Sequence, residues 1–351
     1  MQCLIRQDFD PRWDEFVLAQ PEGTFFHLWA WRDLLTRSFG YEPYYLSAEE
    51  GGKIHGILPL FLVRSLLFGK SVVGIPLGVY GGPVAKTEMT EMVLLEMARD
   101  IAETQRAAYL EIRGNPYRSQ RSLASVAADC NRYKEKDLYV TFIAEIDPSS
   151  DVNMSRIPRK QRRMIRQGQK HGLRAVMDNS RLREWYDVYA ESVRNLGTPV
   201  YSYDYFESLA ESFDQQCKVL LVEFNDKVVA AVLTFLYKDQ ILPYYGGALR
   251  EYFHLATNDF MYWELMSYGA ANGYRIFDFG RSKKGTGSFD FKKHWGFEPR
   301  PLSYWYQSMN GHAVPDTSPM NPKLQWAIRI WRNLPLALTK GLGPHISRHI
   351  P

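Results

Sequence analysis

Tyr80-Gly81-Gly82 recurs as Tyr245-Gly246-Gly247, 165 residues further on, and the similarity extends to both sides of the tripeptide. The apolar, strand-like runs "SVVGIPLGVYGG" and "DQILPYYGG" end in it. Segments 88–106 and 256–272, with apolar residues at helical spacing, follow. Next come the short strands "AYLEIRG" (108–114) and "RIFDFGR" (275–281), offset by 167. Upstream, "GKIHGILPLFLV" (52–63) parallels "NDKVVAAVLTFLY" (225–237), and helix-like segments carrying Trp13 and Trp185 lie 172 apart. Self-similarity at a nearly constant offset marks a duplicated supersecondary unit. Each copy reads helix, strand, strand, helix, strand and then further strands. The chain is therefore expected to be α/β (α+β), built from two like domains. The expected division is 1–147, then 156–310, with the polar, turn-rich "EIDPSSDVNMS" (145–155) between them, and 311–351 as a tail.

The copies diverge after their last shared strand. "NPYRSQRSLASVAADCNRY" reads as a plain helix, whereas the second copy continues as "GRSKKGTGSFDFKKHWGF" (280–297). That stretch suggests a phosphate cradle, but a P-loop needs Gly, four residues, Gly, Lys and then Ser or Thr, opening into a helix. Here Gly285 is followed by Thr286 and Gly287, and "SFDFKKHW" alternates like a strand. A nucleotide loop is rejected, and 289–292 is expected to be a strand.

With 351 residues, 45% hydrophobic and 23% charged, the chain is long enough for two cores and reads as globular. Cys3, Cys130 and Cys217 are odd in number and far apart, so neither a disulfide framework nor a Cys-x-x-Cys site is expected. A cytoplasmic setting follows, since "MQCLIRQDFDPRWDEF" lacks the apolar core of a signal peptide. No metal site is expected, because the eight histidines show no ligand spacing. Neither a Gly-x-Ser-x-Gly elbow nor His-Glu-x-x-His is present.

The order "FFHLWAWRDLLTRSFGYEP", "YGGP", "RKQRRMIRQGQKHGL", "FDFG…FDFKKHWGFEP" resembles the FemAB-like proteins, tandem GNAT-fold acyl- and aminoacyltransferases. It is most similar to the FemAB-related proteins found with PEP-CTERM/exosortase and exopolysaccharide systems. The resemblance spans about residues 5–310. It implies two tandem GNAT-like domains and transfer of an acyl or aminoacyl group to an amine of a cell-envelope glycan or peptidoglycan-type precursor. The implied acyl donor is an aminoacyl-tRNA or an acyl-CoA. It also places Lys292 at the family's lysine beside the donor. Two cationic family positions fall here on Leu35 and on Tyr201, just before "SYDYF", which removes contacts to an anionic acceptor. The Gly-rich coenzyme A turn of GNAT domains is absent from "GPVAKTEMT" and "GALREYFHLATND". Acyl-CoA-dependent transfer to an amino sugar, and a non-catalytic scaffold in exopolysaccharide assembly, remain the alternatives.

On a strand, Phe289 and Phe291 face the core while Asp290 and Lys292 face away. Lys292 is then either a cation that holds a donor phosphate or stabilises an oxyanion, or an edge lysine that keeps a strand soluble. Asp278, at a strand end, either accepts a proton from the attacking amine or bonds into the Gly-rich turn. His294, beside Trp295, reads as structural, with general-base work the alternative. Tyr245, Gly246 and Gly247 are expected to line the same crevice, the glycines permitting close backbone approach or a bulge. Arg281, Lys283, Lys284 and Tyr201 complete the expected binding set.

Arg156, Arg159, Lys160, Arg162, Arg163, Arg166 and Lys170 fall in 15 residues without an acid. On a helix, 159, 162, 163, 166 and 170 form one stripe. Like charges so close repel, so a phosphate-rich partner (tRNA, nucleotide-sugar or anionic membrane) is weighed against a solvated face. From Thr317 to Pro351 there is no acid, against Lys323, Arg329, Arg332, Lys340 and Arg348. "LQWAIRIWRNLPLAL" mixes tryptophans with arginines, either as a contact with the inner face of a membrane or as a segment packed on the body.

Overall fold

A computed structural model describes residues 1–66, 69–117, 133–309 and 322–349. The chain forms two compact units: Met1–Val140 with Pro301–Thr317 and Arg348–Pro351, and Thr141–Arg300 with Ser318–Ser347.

In the first unit, strands β1 (Gln2–Arg6), β2 (Glu42–Glu50), β3 (Lys53–Ser65) and β4 (Gly69–Gly74) pair antiparallel in sequence order. β5 (Val84–Ala85) pairs with β3. β4 then crosses over through a helix, α3 (Glu88–Thr104), to β6 (Tyr109–Arg113), which lies parallel to it. Two earlier helices, α1 (Pro11–Ala19) and α2 (Ala30–Phe39), precede β2. β6 pairs antiparallel with a strand from much later in the chain, β13 (Pro299–Ser308), which neighbours β7 (Lys134–Glu145). The middle of β3 is buried on both faces, as expected of a strand covered by helices. Leu58, Leu60 and Leu62 pack with Leu94, Ala98 and Ile101 of α3 in one core. Thr87 starts α3 by accepting the Thr90 N–H at 3.2 Å, with Glu88 and Glu91 in the first turn.

The second unit repeats this plan. α4 (Ser150–Arg156) and α5 (Arg159–Lys170) lead to β8 (Arg174–Met177), then α6 (Leu182–Leu196) and α7 (Tyr203–Phe213). β8, β9 (Cys217–Phe224), β10 (Lys227–Tyr237) and β11 (Gln240–Ala248) pair antiparallel, and α8 (Thr257–Ala271) crosses over to the parallel β12 (Ile276–Lys283). β12 neighbours β7, and α9 (Gly287–His294) follows it. α10 (Pro322–Asn333) and α11 (Leu336–Ser347) close the unit.

The duplicated elements thus appear in the expected order in both copies. Trp13 and Trp185 sit in equivalent helices, both fully buried, and each gives its indole N–H to a backbone carbonyl, of His27 at 2.8 Å and of Tyr245 at 3.0 Å. Two expectations are corrected. The units are not the contiguous stretches 1–147 and 156–310, because the later part of β7 belongs to the second unit and Pro301–Thr317 to the first. Tyr80-Gly81-Gly82 does not end a strand: β4 stops at Gly74, and Ile75 and Leu77 take φ of 35° and 66°, which turns the chain. The helix expected after Gly114 falls, for the most part, outside the described residues.

Replacing a buried indole by phenyl leaves a buried carbonyl without its donor, at about 1–3 kcal/mol. Trp185→Phe and Trp13→Phe are each expected to lower stability by about 2 kcal/mol in urea titrations. A loss below roughly 0.5 kcal/mol in either would show that its indole bond does not anchor its helix.

Candidate active site

β11 and β12 pair over only two positions, Gln240↔Ile276 and Ile241↔Phe277. A register shift between Leu233 and Thr234 of β10 leaves Tyr244 of β11 unopposed, a bulge that bends the strand just before Tyr245. Beyond the last pair, the two strands continue without a shared ladder. Tyr262 of α8 lies between them: its ring meets Phe279 of β12 at 4.9 Å, and a Cβ on Gly246 of β11 would come within 3.1 Å of its hydroxyl. On Gly247 a Cβ would meet Ser192 Cβ of α6 at 2.8 Å. The two glycines therefore admit helices, and the expected bulge falls one residue before Tyr245.

Gly280 has φ 67°, a left-handed conformation in the middle of β12. In a regular strand successive carbonyls point to opposite sides. Here the turn at Gly280 lets three neighbours converge, and Lys292 Nζ donates to the carbonyls of Phe279 (2.6 Å), Gly280 (3.0 Å) and Arg281 (3.2 Å). Three bonds occupy all the donors an ammonium has. Burial pulls the Lys292 pKa down to about 7; the nearby Asp278 carboxylate opposes that shift and the Arg281 cation adds to it. The Phe142 and Phe279 rings lie 5.9 and 5.8 Å from Nζ. Asp278 is fully buried, and its Oδ1 accepts the Gly280 N–H at 2.7 Å and the Thr141 hydroxyl at 3.3 Å. The bond into the turn, one of its two expected readings, is present.

Gly287–His294 is a helix, which corrects the strand expected at 289–292 and the statement that the Lys/Gly loop does not open into one. Thr286 is extended at its N-cap and Gly285 has φ 74°. The alternation of Phe289 and Phe291 was misleading because the rings have different partners: Phe289 packs on Phe142 at 5.5 Å, and Phe291 meets Trp295 one turn on at 6.1 Å. Helical spacing puts Lys292 one turn from Phe289, facing β12.

Arg281 and Lys283 are half-buried at the end of β12, and Lys284 is exposed in the turn. Tyr245 is buried in an aromatic cluster rather than lining an open crevice: its hydroxyl meets that of Tyr205 at 3.0 Å, and its ring meets Phe206 at 5.0 Å and Tyr201 at 6.5 Å. His294 is exposed at the end of α9, while the buried Trp295 gives its indole N–H to Asp259 at 3.0 Å. Burial lifts Asp259 to about 6, against the Trp295 bond and the Lys160 charge. α5 buries Gln161, Ile165 and Gly168, and a Cβ on Gly168 would meet Phe260 Cβ of α8 at 2.8 Å. Arg159, Arg163 and Arg166 are exposed and Arg162 is half-buried. Among the described residues none of these four arginines is in an ion pair. Sequence reasoning missed Tyr262, Thr141 and Phe142; Tyr262 stood in the expected helix, but the other two come from a distant strand.

The equivalent place in the first unit is filled. The shared offset aligns Glu111 with Asp278 and Arg113 with Gly280. Arg113 and Glu111 are buried and paired at 2.7 Å, and Arg113 also donates to the carbonyls of Ile75 (2.9 Å) and Gly78. Gly280 is buried too, yet a Cβ there would meet nothing within 4 Å. Among the described residues no group of three or more His, Cys, Asp or Glu is placed to hold a metal ion.

Residues 155–293 match the family model described as an acetyltransferase (GNAT) domain. Among curated protein sequences, none matches the chain. Among solved structures, FemX is similar at a TM-score of 0.69 and 14% identity, over 93% of this chain and 100% of that one. A tandem GNAT protein from the clavulanic acid biosynthesis pathway matches at 0.58 and 11%, over 90% and 99%. The C-terminal domain of a putative lysylphosphatidylglycerol synthetase from Agrobacterium fabrum matches at 0.57 and 14%, over 86% and 91%. Residues 155–293 thus resemble a GNAT domain, and the chain as a whole shares its fold with FemX and with a tandem GNAT protein.

Proposed function

We propose that this chain is a FemAB-like transferase that moves an acyl or aminoacyl group onto an amine of a cell-envelope glycan or peptidoglycan-type precursor, with its chemistry in the second unit. The observation that carries this reading is the open space beside buried Gly280, flanked by Asp278 and Lys292, where the first unit has Arg113 instead. The fold shared with FemX and with a lysylphosphatidylglycerol synthetase domain supports an aminoacyl donor. So does Asp259, whose carboxyl sits in the first turn of α8, where a coenzyme A pyrophosphate would need the helix's free positive end.

In this reading a neutral amine attacks the ester carbonyl, the C–N bond forms, and the C–O bond to the donor breaks. Asp278 takes the amine proton and passes it to the departing donor oxygen, which leaves as a hydroxyl. Lys292 has its N–H groups committed to β12, so it acts by fixing the strand end and by its charge near the developing oxyanion. Arg281, Lys283, Lys284 and the α5 arginines hold the donor, and the half-buried Tyr201 borders the acceptor, with Tyr245 packed behind it.

Lys292→Met is expected to lower transfer of labelled amino acid from charged tRNA to envelope precursors by about 100-fold or more. Activity within two-fold of wild type would remove Lys292 from the chemistry. Because folding depresses this lysine's pKa to about 7, the folded state sheds its proton first. Wild-type stability should therefore rise relative to Lys292→Met between about pH 7 and 10, read by denaturant titrations at a series of pH values.

Filter binding of tRNA should weaken steeply with salt. Replacing Arg159, Arg163 and Arg166 by Gln should flatten that slope by about 2 to 3. A flat dependence for the wild type would exclude a tRNA-borne donor.

A further inference from the structure

α10 and α11 are docked on the second unit by one face each. Ile328 of α10 packs on Gly197 at the end of α6, where an added Cβ would meet its Cγ2 at 2.4 Å. Arg332 donates to the Leu196 carbonyl, Arg194 donates to that of Leu334, and Trp331 is buried. On α11 the buried residues are Thr339, Gly343 and Ser347, four apart, and Lys340 pairs with Asp187 at 2.5 Å. Gly343 lies so close to Val200 that a Cβ would be 2.7 Å from its carbonyl oxygen.

The opposite faces are apolar and uncovered. On α10, Trp326 and Ile330 are 65% and 53% exposed; on α11, Leu338 and Leu342 are 51% and 50% exposed. Both pairs are spaced i, i+4, so each presents one contiguous apolar ridge. A fold that spends Ile328, Trp331, Gly343 and Ser347 on docking and turns four large apolar side chains outward leaves surface that needs a partner.

Charge identifies it. From Thr317 to Pro351 the chain has five Lys or Arg and no acid. Arg329 is exposed in the turn between Trp326 and Ile330. A second copy of the same face would bring like charges together, whereas an anionic lipid surface offers the opposite charge and an apolar layer beneath it. Tryptophan suits that boundary, with an apolar body and one N–H donor.

We propose that α10 and α11 form a docking surface for an anionic lipid bilayer, with Trp326, Ile330, Leu338 and Leu342 entering the headgroup region and Arg329 contacting phosphates. No helix among the described residues is long and apolar enough to cross a membrane, so the contact is interfacial. This inference does not rest on the transfer chemistry.

The test is sedimentation of the full chain with vesicles of phosphatidylcholine alone and of equal parts phosphatidylglycerol and phosphatidylcholine. Wild type should sediment with the anionic vesicles at least roughly ten-fold better than with the neutral ones, and salt should release it. Arg329→Gln should weaken binding by roughly five-fold. The combined Trp326→Ser, Ile330→Ser, Leu338→Ser, Leu342→Ser variant should stay in the supernatant with an unchanged unfolding midpoint, because these side chains contact solvent. Wild type remaining in the supernatant with both vesicles, or the combined variant sedimenting like wild type, would overturn the proposal. So would sedimentation velocity showing a wild-type dimer that the four substitutions dissolve, since the face would then belong to a second copy.

Discussion

Two parallel strands that pair over only two residues and then part set the terms for the whole second unit. Parting leaves backbone groups that a sheet would otherwise satisfy, and buried carbonyls without donors are strongly disfavoured. The chain answers with Gly280, whose left-handed φ turns three successive carbonyls toward one point, and with Lys292, whose ammonium meets all three. Tyr262 occupies the opening between the strands, and Asp278 accepts both the Gly280 N–H and the Thr141 hydroxyl of β7. One glycine and one lysine thus hold open, in fixed form, a place that would otherwise close.

The first unit shows what closure looks like. The same parallel crossover, β4 to β6, is present there, but Arg113 stands where the second unit has Gly280. Its guanidinium pairs with Glu111 and takes the carbonyls of Ile75 and Gly78. Gly82 packs so tightly on the Arg113 backbone that a Cβ would lie 2.6 Å from its carbonyl oxygen. A buried arginine that spends its donors on fixed carbonyls offers nothing to a ligand. Of two similar frames, the first thus has Arg113 at this position, and the second has Gly280 with open space beside it.

Much of this was legible in the chain. The crossover needs strand, helix and strand at set distances, so the offset of Tyr80-Gly81-Gly82 and Tyr245-Gly246-Gly247 carried the fold. The alignment of Arg113 with Gly280 was also there to be read. The interleaving of the units was not, because it depends on where β7 and β13 pair, which no local pattern encodes. The helix at Gly287–His294 was hidden by two alternating phenylalanines whose partners, Phe142 and Trp295, lie on different elements. Tyr245 looked like a crevice residue because its neighbours are glycines; in the fold those glycines admit helices and its ring is enclosed by Phe206, Tyr201 and Tyr189. Lys292 was found as a position, but its three carbonyl partners depend on a backbone turn thirteen to eleven residues earlier.

The clamp itself is open to direct measurement. Chain labelled with carbon-13 at the lysine ε positions, titrated by NMR and assigned through a Lys292→Arg variant, reports the protonation of this one amine. The account predicts a midpoint of about 7 for Lys292. A midpoint near 10.4 together with the chemical shift of a fully solvated lysine would contradict the clamp.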